Sequence, residues 1–380
     1  MLAWLQGDSV RILMVSKACV VGAYQKKLEE LARLPGVELT VVVPPAWRDR
    51  TGTLQLERQY TQGYKLVVLP CAFNGNYHLH FYPGLGRVMR RLRPVLVHLD
   101  EEPYNLATAH GFWLARRLDA RTVFFSWQNL LRRYPFPFSR LERYVLRNAD
   151  YCIAGNRESS EVWRAKGYRG PLAVIPQFGI DPDLYAPGPG RGERRQGQEL
   201  VLGYVGRLVE EKGVDLLLEA LSGLQCPWRV VIVGGGPALP DLQAQVQRLG
   251  LDARVEFKGA IPSAQMPAIY QGLDVLVLPS RTRPNWKEQF GRALVEAMAC
   301  GVVVVGSDSG EIPHVIGDAG LVFPEGKVEA LRQQLEALDS NGALYSELSR
   351  RGRQRVLAHY TQAAIAARTH AAYEAILATD

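Results

Sequence analysis

The stretch Ser280–Gly310, SRTRPNWKEQFGRALVEAMACGVVVVGSDSG, decides the fold. Just before it, Val275–Leu278 is an unbroken apolar run ended by Pro279, the pattern of a buried strand. After Phe290 and Gly291, the residues Leu294, Ala297 and Met298 recur at helical spacing, and Gly301 stops the helix. Val302–Val305 then starts another apolar strand. Strand, loop, helix, strand is the repeat of a parallel α/β sheet. Glu288 stands in the loop and Glu296 just over a turn inside the helix. Both carboxylates are therefore expected near the carboxyl edge of the sheet, where such folds bind ligands.

Working outward, Leu200–Val205 is a second strand, followed by Gly206-Arg207-Leu208-Val209-Glu210-Glu211-Lys212-Gly213 and a helix through Leu221. Arg207 and Lys212 bracket the helix start. A diphosphate needs cations and free backbone N–H groups, and this segment offers both. The guanidinium can fork across two oxygens, whereas the ammonium acts as a point charge. The strand Trp228–Val233 runs into Gly234-Gly235-Gly236, which permits close backbone approach but lacks the spacing of a dinucleotide loop. A helix is predicted over Gln243–Leu249, and Ser263 is expected to cap the one that ends at Tyr270.

The first half repeats the alternation. Strands are predicted at Arg11–Ser16, Glu38–Val43, Lys65–Leu69, Pro94–Leu99, Thr122–Trp127 and Ala149–Ala154, with helices over Gln25–Leu34, Tyr104–Leu118, Ser139–Asn148 and Asn156–Lys166. Residues 46–86 are otherwise irregular, with an aromatic loop over 73–82. The strand ending at Leu99 delivers Asp100-Glu101-Glu102-Pro103, which reads equally as a functional cluster or as the acidic start of a helix. Residues 187–198, rich in glycine, arginine and proline, form the clearest boundary. The expected division is a first domain over 1–186, a linker over 187–198, a second domain over 199–358, and a C-terminal helix over 359–380.

Glu288 and Glu296 with Phe290-Gly291, Gly301 and Ser307–Ile312 resemble the signature of the retaining family 4 glycosyltransferases. The resemblance implies the GT-B fold, two Rossmann-like parallel-sheet domains facing across a cleft, with the C-terminal helix 359–380 packing back on the first domain, a close contact that Ala363, Ala366 and Ala371 would permit. It implies retaining transfer of a sugar from a nucleotide-sugar, without a protein nucleophile or general base, by front-face attack in which the leaving phosphate takes the acceptor proton. Arg207 and Lys212 would hold the donor diphosphate and Glu288 the donor-sugar hydroxyls. Glu296 would accept from the ribose hydroxyls. Gly206, Gly235, Gly236, Leu294 and the backbone of Phe290 and Gly291 would complete the donor site, with the base near Lys258 to Ile261. Three departures stand out. The first βα loop has Gly22 where the family usually has a glycine pair. Trp127-Gln128-Asn129 stands where it commonly has a histidine. Phe178-Gly179 replaces the usual Asn-Gly of the inter-domain turn. Gly22, Glu102, Trp127, Gln128 and Asn129 are expected on the acceptor or donor-sugar side.

With 47% apolar and 22% charged residues, the 380-residue chain is globular and long enough for two domains. The five cysteines form no CxxC pair and read as reduced core residues of a cytoplasmic protein. Gly7-Asp8-Ser9 breaks any leader-like apolar core, and no apolar run reaches membrane-spanning length. Residues 1–186 hold 25 Lys and Arg against 16 Asp and Glu, a net of +9, and the remainder holds 20 against 22. Arg140, Arg143 and Arg147 share a helical face beside Phe136 and Phe138. A phosphorylated acceptor or a peripheral place on an anionic membrane at its inner face fits that asymmetry. The acceptor is expected to be a glycan, a glycolipid or a polyprenyl phosphate. No metal, no cofactor and no nucleic-acid partner are expected. The alternatives are a nucleotide-sugar epimerase of the same fold and a non-catalytic nucleotide-sugar-binding protein.

Overall fold

A computed structural model describes residues 9–49, 52–189 and 197–378. These residues divide into two compact units, the first running to Gly179 and resuming at Gln362, the second spanning Ile180–Thr361. Ile180 and Tyr185 pack in the second unit's core, so the first unit ends before the expected 186. Of the expected linker, residues 190–196 lie outside the described ones.

The first unit runs β1 (Val10–Val15), α1 (Gly22–Ala32), β2 (Val37–Val43), the antiparallel pair β3 (Ala46–Asp49) and β4 (Gly52–Gln55), β5 (Lys65–Val68), α2 (Leu85–Leu92), β6 (Leu96–Leu99), α3 (Leu106–Arg116), β7 (Arg121–Ser126), α4 (Phe138–Asn148), β8 (Tyr151–Ala154), α5 (Arg157–Ala165) and β9 (Leu172–Val174). Its parallel sheet has the order β5-β2-β1-β6-β7-β8-β9. The apolar strands are buried on both faces, as parallel sheets require. In β1, Ile12 and Met14 pack on one side with Leu28 and Leu31 of α1, while Leu13 and Val15 pack on the other with α2 and α3. The β3–β4 pair escapes sequence reading because its strands are short and β4 is exposed throughout, leaving no periodicity to see.

The second unit runs β10 (Leu200–Val205), α6 (Val214–Ser222), β11 (Trp228–Val233), α7 (Leu239–Arg248), β12 (Val255–Gly259), α8 (Met266–Gln271), β13 (Val275–Leu278), α9 (Arg292–Ala299), β14 (Val303–Ser307), α10 (Ile312–Ile316), β15 (Leu321–Phe323), α11 (Val328–Ser340) and α12 (Gly342–His359). Its parallel sheet has the order β12-β11-β10-β13-β14-β15. α7 begins four residues before the predicted start, because Pro240 sits in its first turn, where the missing N–H costs nothing. Ser263 does not cap α8. It opens a 3-10 turn, and Gln265 takes the cap position.

The last helix, α13 (Gln362–Leu377), returns to the first unit and packs on α1. Its buried stripe is Ile365, Ala366, Thr369, Ala372, Tyr373 and Ile376. Of the alanines expected to mediate that contact, Ala366 is buried, whereas Ala363 and Ala371 face solvent. Strand order reverses between β1 and β6 in one sheet and between β10 and β13 in the other. Such reversals open a crevice at the carboxyl ends of the strands.

Candidate active site

In the second unit the segment after β10 and the loop after β13 meet at the reversal. Lys212 Nζ donates to Glu288 Oε2 at 2.5 Å, and Ser280 Oγ donates to the same oxygen at 3.1 Å. Ser307 Oγ in turn donates to the Ser280 carbonyl at 2.5 Å. Glu288 is 7% exposed. Lys212 also lies 5.0 Å from the ring centre of Trp286, a cation–π contact. Two glycines allow this packing. Gly213 has φ +66, and a Cβ there would stand 2.0 Å from the Pro279 carbonyl oxygen. Gly310 has φ +56, and its Cβ would meet the Glu288 carbonyl oxygen at 2.2 Å.

Loop 281–287 is clamped to the turn that carries Lys212. Arg281 N donates to Glu211 O at 2.7 Å and Arg281 Nη2 to Asp215 Oδ1 at 2.6 Å, while Arg283 pairs with Glu210. Arg207 is exposed and makes no ion pair among the described residues. Of the glycine triplet, Gly234 and Gly236 press against the backbone of Gly206 and Leu208, leaving Gly235 facing open space. The triplet thus backs the loop that carries Arg207. Glu296, 8% exposed, holds Arg292 Nε at 2.7 Å and the Tyr270 hydroxyl at 2.8 Å, one on each oxygen.

The same reversal in the first unit carries a second lysine–carboxylate pair. Lys17, just past β1, pairs with Glu101, just past β6. Trp47 and Tyr77 cover the ammonium, with ring centres 5.5 and 5.8 Å away. His80 Nε2 stands 3.5 Å from Glu101 Oε1, and Asn105 Nδ2 donates to Oε2 at 3.4 Å. The next residue points elsewhere. Glu102 accepts from Ser126 Oγ at 2.5 Å and from Trp127 N at 2.8 Å. Burial raises both carboxyls, but at Glu101 the Lys17 ammonium and His80 outweigh it and hold the group at about 2. At Glu102 burial prevails over the two hydrogen bonds and pushes the group up to about 7. Adjacent carboxylates are thereby driven in opposite directions, Glu101 downward by its charged partners and Glu102 upward by burial.

A hydrogen-bonded chain continues from there. Trp127 Nε1 donates to Gln177 Oε1 at 2.9 Å, Gln177 Nε2 donates to Asp100 Oδ2 at 2.9 Å, and Ser16 Oγ donates to that same oxygen at 2.6 Å. Buried Lys27 donates to the Gln177 carbonyl at 2.9 Å. Burial lowers Lys27 and raises Asp100. At the start of α1, Gly22, expected on the acceptor or donor-sugar side, has its backbone N–H taken by Glu57 Oε2 at 2.6 Å. Gln128 and Asn129 are buried, the first bonded to the Tyr134 hydroxyl at 2.6 Å and the second to Glu158 at 3.2 Å.

Residues 191–355 match the family model described as glycosyl transferases group 1, and residues 22–177 match the glycosyl transferase 4-like domain. The chain is 30% identical over 277 residues to the 2-deoxystreptamine glucosyltransferase of Streptomyces kanamyceticus, covering 69% of this chain and 67% of that one. It belongs to the group 1 glycosyltransferases. A GDP-mannose-dependent alpha-(1-6)-phosphatidylinositol monomannoside mannosyltransferase of Mycolicibacterium smegmatis is 36% identical over 176 residues, 43% of this chain and 46% of that one. A D-inositol 3-phosphate glycosyltransferase of Corynebacterium jeikeium is 32% identical over 203 residues, 48% and 47% respectively. In these two alignments the chain spans about half the relative's length. The fold is that of solved glycosyltransferases. Anabaena HepE, crystallised with UDP, superposes with a TM-score of 0.73 at 18% identity, covering 96% of this chain and all of that one. Sucrose-phosphate synthase from Thermosynechococcus elongatus superposes at 0.71 with 19% identity, covering 98% and 100%. The GT-B architecture is therefore shared.

In this group 1 chain Arg207, Lys212, Glu288, Gly206 and Gly235 gather around one carboxyl edge. Phe290 leans on Tyr360 with ring centres 5.8 Å apart, and Gly291 caps α9 at φ +73. Leu294 is wholly buried, so only its backbone could face a ligand. Lys258 is exposed on the edge strand β12, paired with Glu256 at 3.2 Å, and Ile261 packs against the core from the turn beyond. Trp127 packs its ring on Gly155. Trp286, Ser280 and Lys17 are the neighbours that sequence reading passed over. Trp286 had a signal, an aromatic two residues before the loop glutamate, while Ser280 and Lys17 had none. Among the described residues no group of three His, Cys, Asp or Glu is placed to hold a metal, and no helix is long and apolar enough to cross a membrane.

Proposed function

We propose that the chain transfers a sugar, with retention, from a nucleotide-diphosphate-sugar to an acceptor. The observation that carries this reading is the Arg207, Lys212, Glu288 and Ser280 cluster at the β10/β13 reversal. Lys212 pairs with Glu288, and a diphosphate beside the ammonium would compete for it and leave the carboxylate to the sugar hydroxyls. Arg207 and Lys212 would then stabilise the charge that develops on the leaving diphosphate. Glu296 keeps lone pairs available for ribose hydroxyls beyond those used by Arg292 and Tyr270. Retention follows from attack on the face the diphosphate leaves, with the leaving phosphate taking the acceptor proton. The two cations supply the electrostatic work a divalent ion would otherwise do, so transfer is expected to survive EDTA. Complete loss with EDTA and recovery with magnesium would overturn that part.

The acceptor is read as a phosphorylated or lipid-linked polyol or glycan. The +9 balance of residues 1–186 supports this. So do two relatives named for a phosphatidylinositol mannoside and for D-inositol 3-phosphate. Peripheral contact with an anionic inner membrane surface belongs to the same reading. A panel of nucleotide-sugars, screened by thermal shift and then by product NMR, tests it. A glycosylated product with the donor's anomeric configuration is expected. Release of an epimerised nucleotide-sugar without acceptor, or binding without turnover, would replace this reading with an epimerase or a binding protein.

A further inference from the structure

The first unit carries a second concentration of charge away from its sheet edge. A pocket of about 640 Å³ lies between α4, the end of α5 and residues 131–134. Arg132, Arg133, Arg143, Arg147 and Lys166 line it, with Glu142 as the one acid. Glu142 is already committed, accepting from Lys166 Nζ at 2.5 Å. Lys166 is held further by the rings of Tyr134 and Trp163, 5.1 and 5.2 Å away.

Some surface arginines of the chain have a carboxylate one turn away, as Arg33 has Glu29 and Glu30, Arg332 has Glu329, and Arg350 and Arg351 have Glu347. Arg133, Arg143 and Arg147 make no ion pair among the described residues, although they share one concavity. Convergent like charges raise the local potential and destabilise the fold unless an anion joins them. Arg140, expected on the same face, instead lies over the Phe136 ring at 5.5 Å and does not line the pocket. Beside the basic wall, Leu131 is 65% and Phe136 72% exposed.

We propose that this pocket binds a phosphomonoester or diphosphate group, at a site separate from both sheet edges. Arg143 and Arg147, one turn apart on α4, take the phosphate oxygens, and Lys166 contributes from the floor. The size admits a headgroup rather than a bare ion. The Tyr134 wall links the pocket to the end of β7, because the Tyr134 hydroxyl bonds to Gln128 and its ring stacks on Tyr104 at 4.1 Å. The phosphate can come from a soluble molecule or from a lipid whose bilayer also covers Leu131 and Phe136.

Binding of inorganic pyrophosphate to the full chain, measured by calorimetry in an R207A/K212A background, reads this site without the donor side. It needs no turnover, so its failure and that of the transferase reading are separable. R143Q/R147Q is expected to weaken binding by about 10–100-fold, and E142Q, which removes the competing anion, is expected to tighten it. Both arginines are exposed, so that double variant keeps its fold. Co-sedimentation with phosphatidylcholine vesicles, with and without phosphatidic acid, separates the sources. Retention on phosphatidic acid that is lost in R143Q/R147Q and reduced in L131S/F136S supports the lipid source. Pyrophosphate binding alone supports the soluble one. No binding of either probe, or equal binding by the double variant, overturns the proposal.

Discussion

Past β1 in the first sheet, Lys17 meets Glu101; past β10 in the second, Lys212 meets Glu288. Each carboxylate follows the strand across the reversal, β6 or β13, and each ammonium lies under an aromatic ring. The surroundings differ. Glu101 is enclosed by His80 and Asn105, and the N–H of Gly22 nearby is taken by Glu57. Around Lys212 the backbone is glycine-rich, Gly235 faces open space and Arg207 stands unpaired among the described residues. Under the proposed function one topology and one ion pair serve two purposes: the pair at Glu101 holds a loop in place, and the pair at Glu288 would exchange its partner for a ligand.

The largest effect should come from breaking the enclosed pair. Removing one partner of a buried ion pair costs about 3–5 kcal/mol. K17A should therefore lower the unfolding free energy by that order in a urea titration. A K17A chain as stable as the parent would end the distinction between the two pairs. The second effect is kinetic. R207A or K212A should reduce turnover by about 10²–10³-fold while circular dichroism shows a folded protein. Near-parental rates in both would remove this edge from the chemistry.

Third, Glu102 sharpens the contrast within the first edge. Its carboxyl is raised from 4.5 to about 7, so the folded state binds the proton more tightly than the unfolded one. Stability from this group is then present at low pH and declines as pH rises from about 4.5 through about 7, by on the order of 3 kcal/mol. E102Q should remove that slope, so the parent should lose stability relative to E102Q between pH 5 and pH 8. Parallel pH profiles of the two proteins would show that Glu102 is not the titrating group. The smallest effect concerns the ring over Lys212. W286A should raise the half-saturating donor concentration by the worth of a cation–π contact, about 0.5–2 kcal/mol, and W286F should restore most of it. Equal values for all three proteins would mean the ring does not steady the ammonium.

The two edges were not equally legible. Arg207, Lys212, Glu288 and the glycines stand out in the sequence because close backbone approach favours glycine and the proposed diphosphate would require cations, and both patterns fall within short runs of chain. The first edge spreads its partners over distant segments. Lys17 meets Trp47, Tyr77 and Glu101, and Gln177 reaches Asp100 and Trp127. No local spacing encodes such meetings. The β3–β4 pair that brings Trp47 to the lysine left no periodicity either.

By itself the sequence determined the alternation of buried strands and helices, the parallel sheets this entails, and the glutamates and cations of the second edge. It could do so because burial on both faces and helical period are properties of contiguous residues. Only the tertiary structure decided that Lys212 rests on Glu288, that Glu57 takes the Gly22 N–H, and that Gln128 and Asn129 turn inward to Tyr134 and Glu158. It alone drove Glu101 and Glu102 apart, since each carboxyl answers to charges and burial supplied by residues far along the chain.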